Sequence, residues 1–381
     1  MKAAVIAGAG IGGLAAGIAL RQAGYEVTVL ERSPQPGEVG AGVAILPNGT
    51  RALEALGVPP LPPSGLTNLT VRTWRGVRLL DTPVGTFRRR YGSEFKVVPR
   101  PELHALLLQT LGPERVSPGT EVTGFSQTAS AVRVVLGNGR ELEAGLLVGA
   151  DGLRSAVRRQ LLDDGEPRYL GCTAWRGTLD LAGSGLEPSL GLNWWGLGGE
   201  FGALPMQRAV YWFATANAPE RQPDPRHRRR QDLLARFAGW EAPIPDLIAR
   251  TEADAILRND IYDRPPARRW TSGRVTLLGD AAHPMAPNAA QGACQALEDA
   301  VALGAALGGG AEPEAGLLDY ERRRLPRANE FVRLAHRTSR AVQSDNRVLV
   351  GARNLSVRLV PQWLLERQAD RTFAPSPRLG G

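Results

Sequence analysis

The first 31 residues of this chain constrain its fold more than any other stretch. An apolar run at 3–7 is followed by Gly8-Ala9-Gly10-Ile11-Gly12-Gly13, and residues 14–23 then carry apolar side chains on one helical face. A second apolar run at 25–30 ends at Glu31. This order predicts a strand, a tight turn, a helix and a second strand, which is the unit that opens a doubly wound α/β domain.

The glycines and the terminal acid of this unit predict a dinucleotide site. Gly8 allows the tight turn, Gly10 lets a pyrophosphate approach the backbone, and Gly13 lets the helix pack closely on the strand. The N–H groups and the dipole at the start of the helix favour bound phosphates. Glu31 lies 18 residues past Gly13, where it can accept hydrogen bonds from the adenosine ribose.

Two later strands are also predicted to end in an acid. A hairpin turn at Asn138-Gly139 precedes the apolar run 146–150, which stops at Asp151-Gly152. A third apolar run, 275–278, stops at Gly279-Asp280, and a proline-rich loop and a small-residue helix from about Gln291 follow. Taken alone, Asp280 is equally well explained as an ordinary helix N-cap.

Composition and cysteine usage narrow the classes of protein that fit. The net charge of +8 comes almost entirely from scattered arginines, which favours a solvated surface over a nucleic-acid-binding one, although such a surface can attract an anionic cosubstrate. Cys172 and Cys294 form no disulfide framework and no metal motif, which fits a cytoplasmic protein without a metal site. The uncharged run 3–20 contains five glycines and would make a poor membrane span, so we expect no membrane partner.

Taken together, these motifs resemble the FAD-dependent aromatic hydroxylases, the single-component flavoprotein monooxygenases with the para-hydroxybenzoate hydroxylase fold. The resemblance extends from the first residue to about residue 310. Three stretches, 40–57, 236–248 and 283–304, are most similar to the branch that contains salicylate, 3-hydroxybenzoate, 6-hydroxynicotinate and urate hydroxylases. The motifs that carry the resemblance are the glycine-rich turn with Glu31-Arg32, Asp151-Gly152 with Ser155 and Arg158, and Gly279-Asp280 with His283-Pro284 and Gln291-Gly292.

The resemblance implies an α/β fold with a discontinuous Rossmann-like FAD-binding domain, an inserted α+β substrate domain built on a mixed sheet, and C-terminal helices. The implied division is an FAD-binding domain at 1–65, 96–164 and 270–310, a substrate-binding domain at 66–95 and 165–269, a C-terminal helical segment at 311–368, and a flexible tail at 369–381.

For the cofactor, the resemblance implies non-covalent FAD, with NAD(P)H as a transient cosubstrate. It implies that Arg100 reaches the cofactor, that Asp280 bonds the ribityl chain, and that the helix from Gln291 points its positive end at the flavin pyrimidine. His283 is expected to position the motif through the backbone, and Glu298 and Asp299 to be solvated or bound to backbone. The implied cofactor-binding residues are Gly8, Gly10, Gly12, Gly13, Glu31, Arg32, Ala44, Arg100, Val122, Asp151, Gly152, Gly279, Asp280, Pro287, Gln291 and Gly292.

For the reaction, the resemblance implies that NAD(P)H and O2 hydroxylate a small phenolic or heteroaromatic acid through a flavin C4a-hydroperoxide. Tyr211 is the catalytic candidate, because its phenol can hydrogen-bond a ring hydroxyl or help to deprotonate it. Gln207, Phe213 and Trp194 are further substrate candidates, with sheet packing an equally good explanation for the aromatic ones. Glu200 takes the place of an arginine that the urate enzyme needs, which argues against urate.

Two other functions stay open at this point. The same fold hosts flavin-dependent epoxidases and reductases that act on larger polycyclic or apolar substrates. A non-catalytic flavin-binding protein is the other alternative. The sequence leaves both a monomer and a homodimer open, and it does not choose between NADH and NADPH.

Overall fold

The computed structural model describes residues 2–35, 41–310 and 312–373. The strands in these residues are, in chain order, β1 (Ala3–Ala7), β2 (Glu26–Glu31), β3 (Gly42–Ile45), β4 (Asn68–Thr73), β5 (Arg78–Thr82), β6 (Lys96–Pro99), β7 (Val116–Pro118), β8 (Val122–Gln127), β9 (Val132–Leu136), β10 (Glu141–Ala144), β11 (Leu146–Gly149), β12 (Arg168–Asp180), β13 (Leu190–Trp195), β14 (Gly199–Met206), β15 (Ala209–Asn217), β16 (Leu257–Asp263), β17 (Thr271–Ser272) and β18 (Val275–Leu277). The α-helices are α1 (Ile11–Gln22), α2 (Pro47–Ala55), α3 (Phe87–Tyr91), α4 (Arg100–Leu111), α5 (Ala156–Leu162), α6 (Arg226–Phe237), α7 (Ile244–Arg250), α8 (Gly292–Leu307), α9 (Pro313–Val342), α10 (Arg347–Arg358) and α11 (Gln362–Phe373).

A six-stranded sheet, the first sheet, is built from the N-terminal unit and the two later acid-terminated strands. Its order is β17-β18-β11-β1-β2-β7, and all neighbours are parallel except β17 and β18. Because β2, β11 and β18 run in the same direction, Glu31, Asp151 and Asp280 lie at one edge of the sheet. The predicted α/β class is confirmed. Helix α1 begins at Ile11, three residues before the predicted start, because Gly12 and Gly13 form its first turn despite their low helix propensity.

A seven-stranded mixed sheet, the second sheet, follows as the predicted insertion. Its order is β16-β12-β15-β14-β13-β4-β5, and β13 with β4 is its parallel pair. One face packs against α6 and α7 through a core that includes Trp194, Phe201 and Trp212. The ring of Phe201 stacks on that of Trp212 with centroids 5.4 Å apart. The opposite face is therefore left to line the functional site.

The C-terminal helices pack on the rest of the molecule further than predicted. Residues 369–373, which we expected in a flexible tail, are the last turn of α11. Phe373 holds them in place, because its ring lies 5.2 Å from that of Phe87 and 5.4 Å from that of Tyr91. Asp370 adds an ion pair with Arg90 at 3.0 Å. The remainder of the predicted tail, 374–381, lies outside the described residues, and the domain boundaries stay a prediction.

None of the helices in the described part of the chain is both long and apolar enough to cross a membrane.

Candidate active site

The carboxyl edge of the first sheet and the free face of the second sheet enclose one continuous cavity. Its volume is about 890 Å³, which lies in the range of sites that hold an organic ligand or cofactor. Most of the predicted cofactor-binding residues line it: Gly8, Gly10, Gly12, Glu31, Arg32, Ala44, Arg100, Val122, Asp151, Gly152, Gly279, Asp280, Pro287 and Gly292. The sequence thus predicted residues that come together, and their individual contacts with a cofactor stay predictions.

The glycine-rich turn is tight for a steric reason. Gly8 has φ +100°, and a Cβ there would lie 2.4 Å from the carbonyl oxygen of Ala150. A Cβ on Gly13 would lie only 1.9 Å from the carbonyl oxygen of Gly8. Gly13 therefore lets α1 pack on the turn, as predicted, and its contact with a cofactor stays a prediction, since it is not among the residues that line the cavity.

Glu31 both stabilises this turn and faces the cavity. Its Oε2 accepts a hydrogen bond from the backbone N–H of Ala9 at 2.8 Å, and its Oε1 accepts one from the backbone N–H of Ser33 at 2.8 Å. Each carboxylate oxygen has a second lone pair, so the group can still accept bonds from a ribose. The predicted acid at the end of β2 is therefore held in a fixed orientation before any ligand binds.

Asp151 offers an acceptor that the protein itself does not use. Its Oδ2 accepts the backbone N–H groups of Ala156 at 2.8 Å and Val157 at 3.3 Å. Its Oδ1 is buried and has no hydrogen-bond partner among the described residues. Burial is the main reason that the pKa of Asp151 lies above its ordinary value. An unpaired buried oxygen at a cavity wall fits a ligand hydroxyl, and FAD carries hydroxyls on its ribose and ribityl parts.

Arg100 and Asp280 bring opposite charges to the cavity. Burial lowers the pKa of the Arg100 guanidinium, and the Asp280 carboxylate counteracts this effect. Asp280 also lies near the start of α8, because a Cβ on Gly292 would be 3.9 Å from its Oδ1. The acid, the arginine and the positive helix end thus meet where the resemblance expects the flavin.

Gln291 is a predicted cofactor residue that the structure keeps out of the cavity lining. Its side chain is buried behind the wall at the N-cap of α8. Its Oε1 accepts hydrogen bonds from Asn48 Nδ2 at 3.0 Å and from Gln295 Nε2 at 2.9 Å. The amide oxygen thus bonds neighbouring helices, whereas Nε2 has no hydrogen-bond partner among the described residues, and a contact of Gln291 with the cofactor stays a prediction.

His283 and Asp299 support the Gly279-Asp280 turn from behind. Asp299 Oδ2 accepts the backbone N–H of Gly279 at 3.1 Å and lies 2.5 Å from His283 Nε2. Both side chains are buried. A solvated Asp299 is therefore excluded, whereas the predicted bond to backbone is present. The His283 ring positions the motif through this carboxylate rather than through the backbone alone.

One face of the second sheet, here called the cavity face, forms the other end of the cavity. It carries Leu69, Val71, Arg176, Asn193, Glu200, Leu204, Tyr211, Phe213 and Thr215. Of the four predicted substrate residues, Tyr211 and Phe213 lie on it. Trp194 points to the opposite side and is fully buried in the core over α6 and α7, because successive residues of a strand alternate between faces. Gln207 is exposed in the turn between β14 and β15 with φ +51°.

Tyr211 of the second sheet packs against β3, which pairs with β6 in a separate two-stranded sheet. A Cβ on Gly42 of β3 would lie 2.5 Å from its ring, so the ring packs directly on that backbone. The positive charge of the Arg176 guanidinium acts on its phenol. Burial raises the pKa of Tyr211, and the charges of Arg176 and Arg100 oppose the rise. The phenol is consequently neutral at physiological pH and can donate its O–H to a ligand oxygen.

Glu200 is the group on the cavity face whose placement the sequence did not predict. Its side chain is 3% exposed, and its Oε1 accepts a hydrogen bond from Asn288 Nδ2 at 2.6 Å. Its Oε2 accepts a weaker one from Asn193 Nδ2 at 3.4 Å. Burial raises the pKa of Glu200 from 4.5 to about 7. A single acid in the otherwise uncharged strand 199–206 was the available signal.

Comparison with known proteins agrees with this geometry. A family model described as an FAD binding domain matches residues 1–335. An aurachin C monooxygenase/isomerase of Stigmatella aurantiaca is 41% identical over 377 residues, which are 98% of this chain and 98% of that protein. A 3-amino-4-hydroxybenzoate 2-monooxygenase of Streptomyces platensis is 36% identical over 347 residues, 88% of this chain and 86% of that protein. The solved structure of Klebsiella pneumoniae HpxO with FAD and uric acid gives a TM-score of 0.91 at 30% identity, with 97% of this chain and 96% of that chain covered.

The fold and these matches together define the class of protein, which is a flavin-dependent oxygenase. The chain belongs to the FAD binding domain family and, within it, to the FAD-dependent aromatic hydroxylases. FAD is accordingly its cofactor, and its enzyme class is FAD-dependent monooxygenase.

Proposed function

We propose that this enzyme uses NAD(P)H and O2 to hydroxylate a small phenolic or heteroaromatic ring held on the cavity face. The observation that carries the proposal is the continuous cavity, which runs from the glycine-rich turn to Tyr211 and Phe213. A flavin anchored at the first sheet can therefore meet a ring on the second sheet without leaving its site. The uric acid in the Klebsiella structure and the aminohydroxybenzoate substrate of the Streptomyces relative are both small and aromatic, which supports the same class.

Bound FAD supplies the redox chemistry, which is hydride acceptance from NAD(P)H and delivery of one atom of O2. The protein must hold the ring, exclude water and manage one proton. Phe213 and Leu204 give the cavity face an apolar surface on which an aromatic ring can lie. Tyr211 donates a hydrogen bond to an oxygen of that ring. Asp151, Asp280 and Arg100 hold the cofactor side.

Oxygenation of a larger apolar substrate is the second candidate. Leu69 and Val71 of β4 extend the apolar wall beyond Phe213, toward Thr82 on the edge strand β5. That extension favours a substrate that carries an apolar substituent next to its ring. The Stigmatella relative, named as both a monooxygenase and an isomerase, is a relative for which oxygenation is not the whole reaction.

We further propose that the protein works in the cytoplasm, as a monomer or a homodimer. The free and buried thiols of Cys172 and Cys294 support a reducing compartment.

The proposal is tested by aerobic NADH and NADPH oxidation with the purified holoenzyme, with hydrogen peroxide quantified. The panel contains salicylate-like, hydroxybenzoate-like, hydroxypyridine and quinolone compounds. We expect at least one compound to accelerate oxidation with little peroxide and to yield a product with one atom from 18O2. Acceleration with all reducing equivalents in peroxide would contradict the proposed substrate class. Oxidation no faster than that of free FAD, with every compound, would contradict the oxygenase function.

Tyr211→Phe should lower the hydroxylation rate about tenfold and raise peroxide release, because one hydrogen bond to a partly charged oxygen contributes about 1.5 kcal/mol. Flavin absorbance should show unchanged FAD content. The matched control is Tyr262→Phe, since Tyr262 lies on β16 of the same sheet and its hydroxyl bonds Glu220 outside the cavity. Equal coupling in the two variants would mean that Tyr211 only packs against Gly42.

A further inference from the structure

We propose that Glu200 accepts a proton from the substrate, and that the substrate is an aromatic nitrogen heterocycle with an N–H on the edge facing Glu200 and an oxygen on the opposite edge. This inference rests on the proposed hydroxylase function and names its substrate class more narrowly. It follows from the positions of the hydrogen-bond acceptors and the hydrogen-bond donors, which lie at different ends of the cavity face.

The acceptor end of the cavity face is centred on Glu200. In the sheet register Glu200 pairs with Thr215 on β15 and with Trp195 on β13. The groups that donate hydrogen bonds to its carboxylate are the neutral amides of Asn288 and Asn193. Asn193 Oδ1 is also buried, and it has no partner in the described part of the chain. Asn193 Oδ1 can therefore accept a hydrogen bond from a ligand, and each Glu200 oxygen has a second lone pair for a further one.

The donor end lies further along the same strands. Tyr211 pairs with Leu204, four residues beyond Glu200 on β14. Four residues of strand span about 13 Å, which leaves room for one ring or two fused rings between the side chains. Arg176 donates a hydrogen bond to a neutral group, Asn259 Oδ1, at 3.3 Å, so its positive charge remains available to a ligand oxygen.

Between the two ends the floor is apolar. Phe213 pairs with Gly202 in the register, and a Cβ on Gly202 would lie 2.2 Å from the Phe213 ring. The ring therefore lies over the glycine and gives a flat surface between Glu200 and Arg176. An aromatic heterocycle placed on it presents opposite edges to the two polar ends.

The proton step follows from this arrangement. The ring N–H bond breaks, its proton moves to a carboxylate oxygen of Glu200, and its electron pair stays in the ring. Conjugation carries the negative charge to the oxygen on the far edge, where Arg176 and Tyr211 stabilise it. The ring becomes more electron-rich and so a better acceptor of an electrophilic oxygen atom. The proton returns to the product when it leaves.

The pH dependence depends on all the charged groups around Glu200. Arg353 of α10 stabilises the carboxylate, whereas the carboxylate itself raises the pKa of the Cys172 thiol on β12 and of the Tyr211 phenol on β15. Both of these groups stay neutral below pH 8, since burial raises their pKa above already alkaline ordinary values of 9.0 and 10.0. A rate that rises with pH around 7 therefore reports on Glu200.

The test measures hydroxylation by the holoenzyme of 4-hydroxypyridine, 4-hydroxyquinoline and N-methyl-4-quinolone between pH 5.5 and 8. We expect the rate of the wild type to rise through about pH 7 with the N–H compounds. Glu200→Gln should lower the rate at pH 8 about a hundredfold and remove that rise. Glu200→Asp should restore a pH-dependent rise at a reduced rate. Glu220→Gln, on an exposed acid that bonds Tyr262, is the matched control and should behave as the wild type.

Three different outcomes would contradict the proposed function, the role of Glu200 and the substrate class, respectively. If the wild type hydroxylates no compound of the wider panel, the proposed function is wrong. If the wild type hydroxylates the N–H compounds but Glu200→Gln keeps both the rate and the pH profile, the assignment of Glu200 is wrong. If N-methyl-4-quinolone or 4-hydroxybenzoate reacts as well as the N–H heterocycles, the substrate class named here is wrong.

Discussion

At the scale of single residues, buried carboxyls in this enzyme differ in how their charge is compensated. Burial opposes ionisation of Glu298, but Arg324 and Arg327 outweigh it and hold its pKa below the ordinary value. Glu200 is buried to a similar degree, yet its hydrogen-bond donors are neutral, so burial prevails and its pKa rises to about 7. The Glu298 carboxyl stays ionised and has a structural role, whereas the Glu200 carboxyl can exchange a proton near neutral pH.

The raised pKa of Glu200 makes stability depend on pH in a definite direction. The pKa of Glu200 is about 7 in the folded state and 4.5 ordinarily. The contribution of this difference to the free energy of unfolding is therefore fully present below pH 4.5 and is lost as pH rises through 7. The difference of about 2.5 pKa units corresponds to on the order of 3 kcal/mol.

Glu200→Gln should therefore raise the melting temperature at pH 8 by several degrees and leave it nearly unchanged at pH 4.5. Thermal unfolding of the holoenzyme at both values checks this, with Glu220→Gln expected to follow the wild type. If the melting temperature of the wild type does not fall relative to that of Glu200→Gln between pH 4.5 and pH 8, the raised pKa is contradicted.

At the scale of elements, a buried ionic network fixes α9 to α8 and to the turn that carries Asp280. Arg324 of α9 donates to Glu298 Oε2 at 2.6 Å and to Asp299 Oδ1 at 2.7 Å. Asp299 in turn accepts the N–H of Gly279 at 3.1 Å. Helix α9 therefore helps to hold the Gly279-Asp280 turn, which precedes Arg324 by about forty residues in the chain.

Arg324→Met should destabilise the enzyme by about 3–5 kcal/mol, because it removes the buried arginine that Glu298 and Asp299 share. FAD should also be lost more readily, since Asp299 positions Gly279. The control is Arg322→Met on the same helix, whose side chain is 75% exposed and whose ion pair with Asp319 contributes at most about 1 kcal/mol. Thermal unfolding and flavin content after gel filtration are the measurements. Indistinguishable behaviour of the two variants would show that the network does not support the site.

Helix α9 also carries a feature that could not be predicted from the sequence, namely which of its arginines is buried. Arg322, Arg323 and Arg324 are adjacent, and their side chains are 75%, 30% and 1% exposed. Each step along a helix turns the side chain by about 100°, so only the tertiary packing decides which arginine is buried. By contrast, the glycine-rich turn and the acids after β2, β11 and β18 were predictable, because tight turns and strand ends leave local signals in the sequence.

The second sheet was harder to predict for a related reason. Both of its faces are covered, so the alternation of apolar and polar residues that marks a half-buried strand is missing. Trp194 was the predicted cavity residue of β13, but its neighbour Asn193 is the one that faces the cavity. Glu200 was visible as an unusual acid, but its proximity to Asn288 depends on contacts between distant parts of the chain.

At the scale of the whole molecule, positive charge lies outside the cavity rather than in it. Five arginines (Arg32, Arg100, Arg154, Arg159 and Arg176) and five carboxylates (Glu31, Glu121, Asp151, Glu200 and Asp280) line the cavity, so their charges nearly cancel. The chain as a whole has a net charge of +8. The outer surface therefore carries the excess, and its field acts on ligands that approach from solvent.

In the proposed reaction NAD(P)H is the anionic reactant that approaches in every turnover, so its capture should depend on salt. Raising the ionic strength from about 0.02 M to 0.2 M shortens the Debye length from about 20 Å to 7 Å and should raise the KM for NADPH several-fold, with kcat little changed. NADH, which lacks the 2′-phosphate, should show a weaker dependence. Steady-state oxidation in NaCl, with sucrose as an uncharged control for viscosity and solvent effects, measures this. A KM for NADPH that does not vary with salt would mean that the surface charge has no role in capture, and that the local arginines of the cavity determine binding instead.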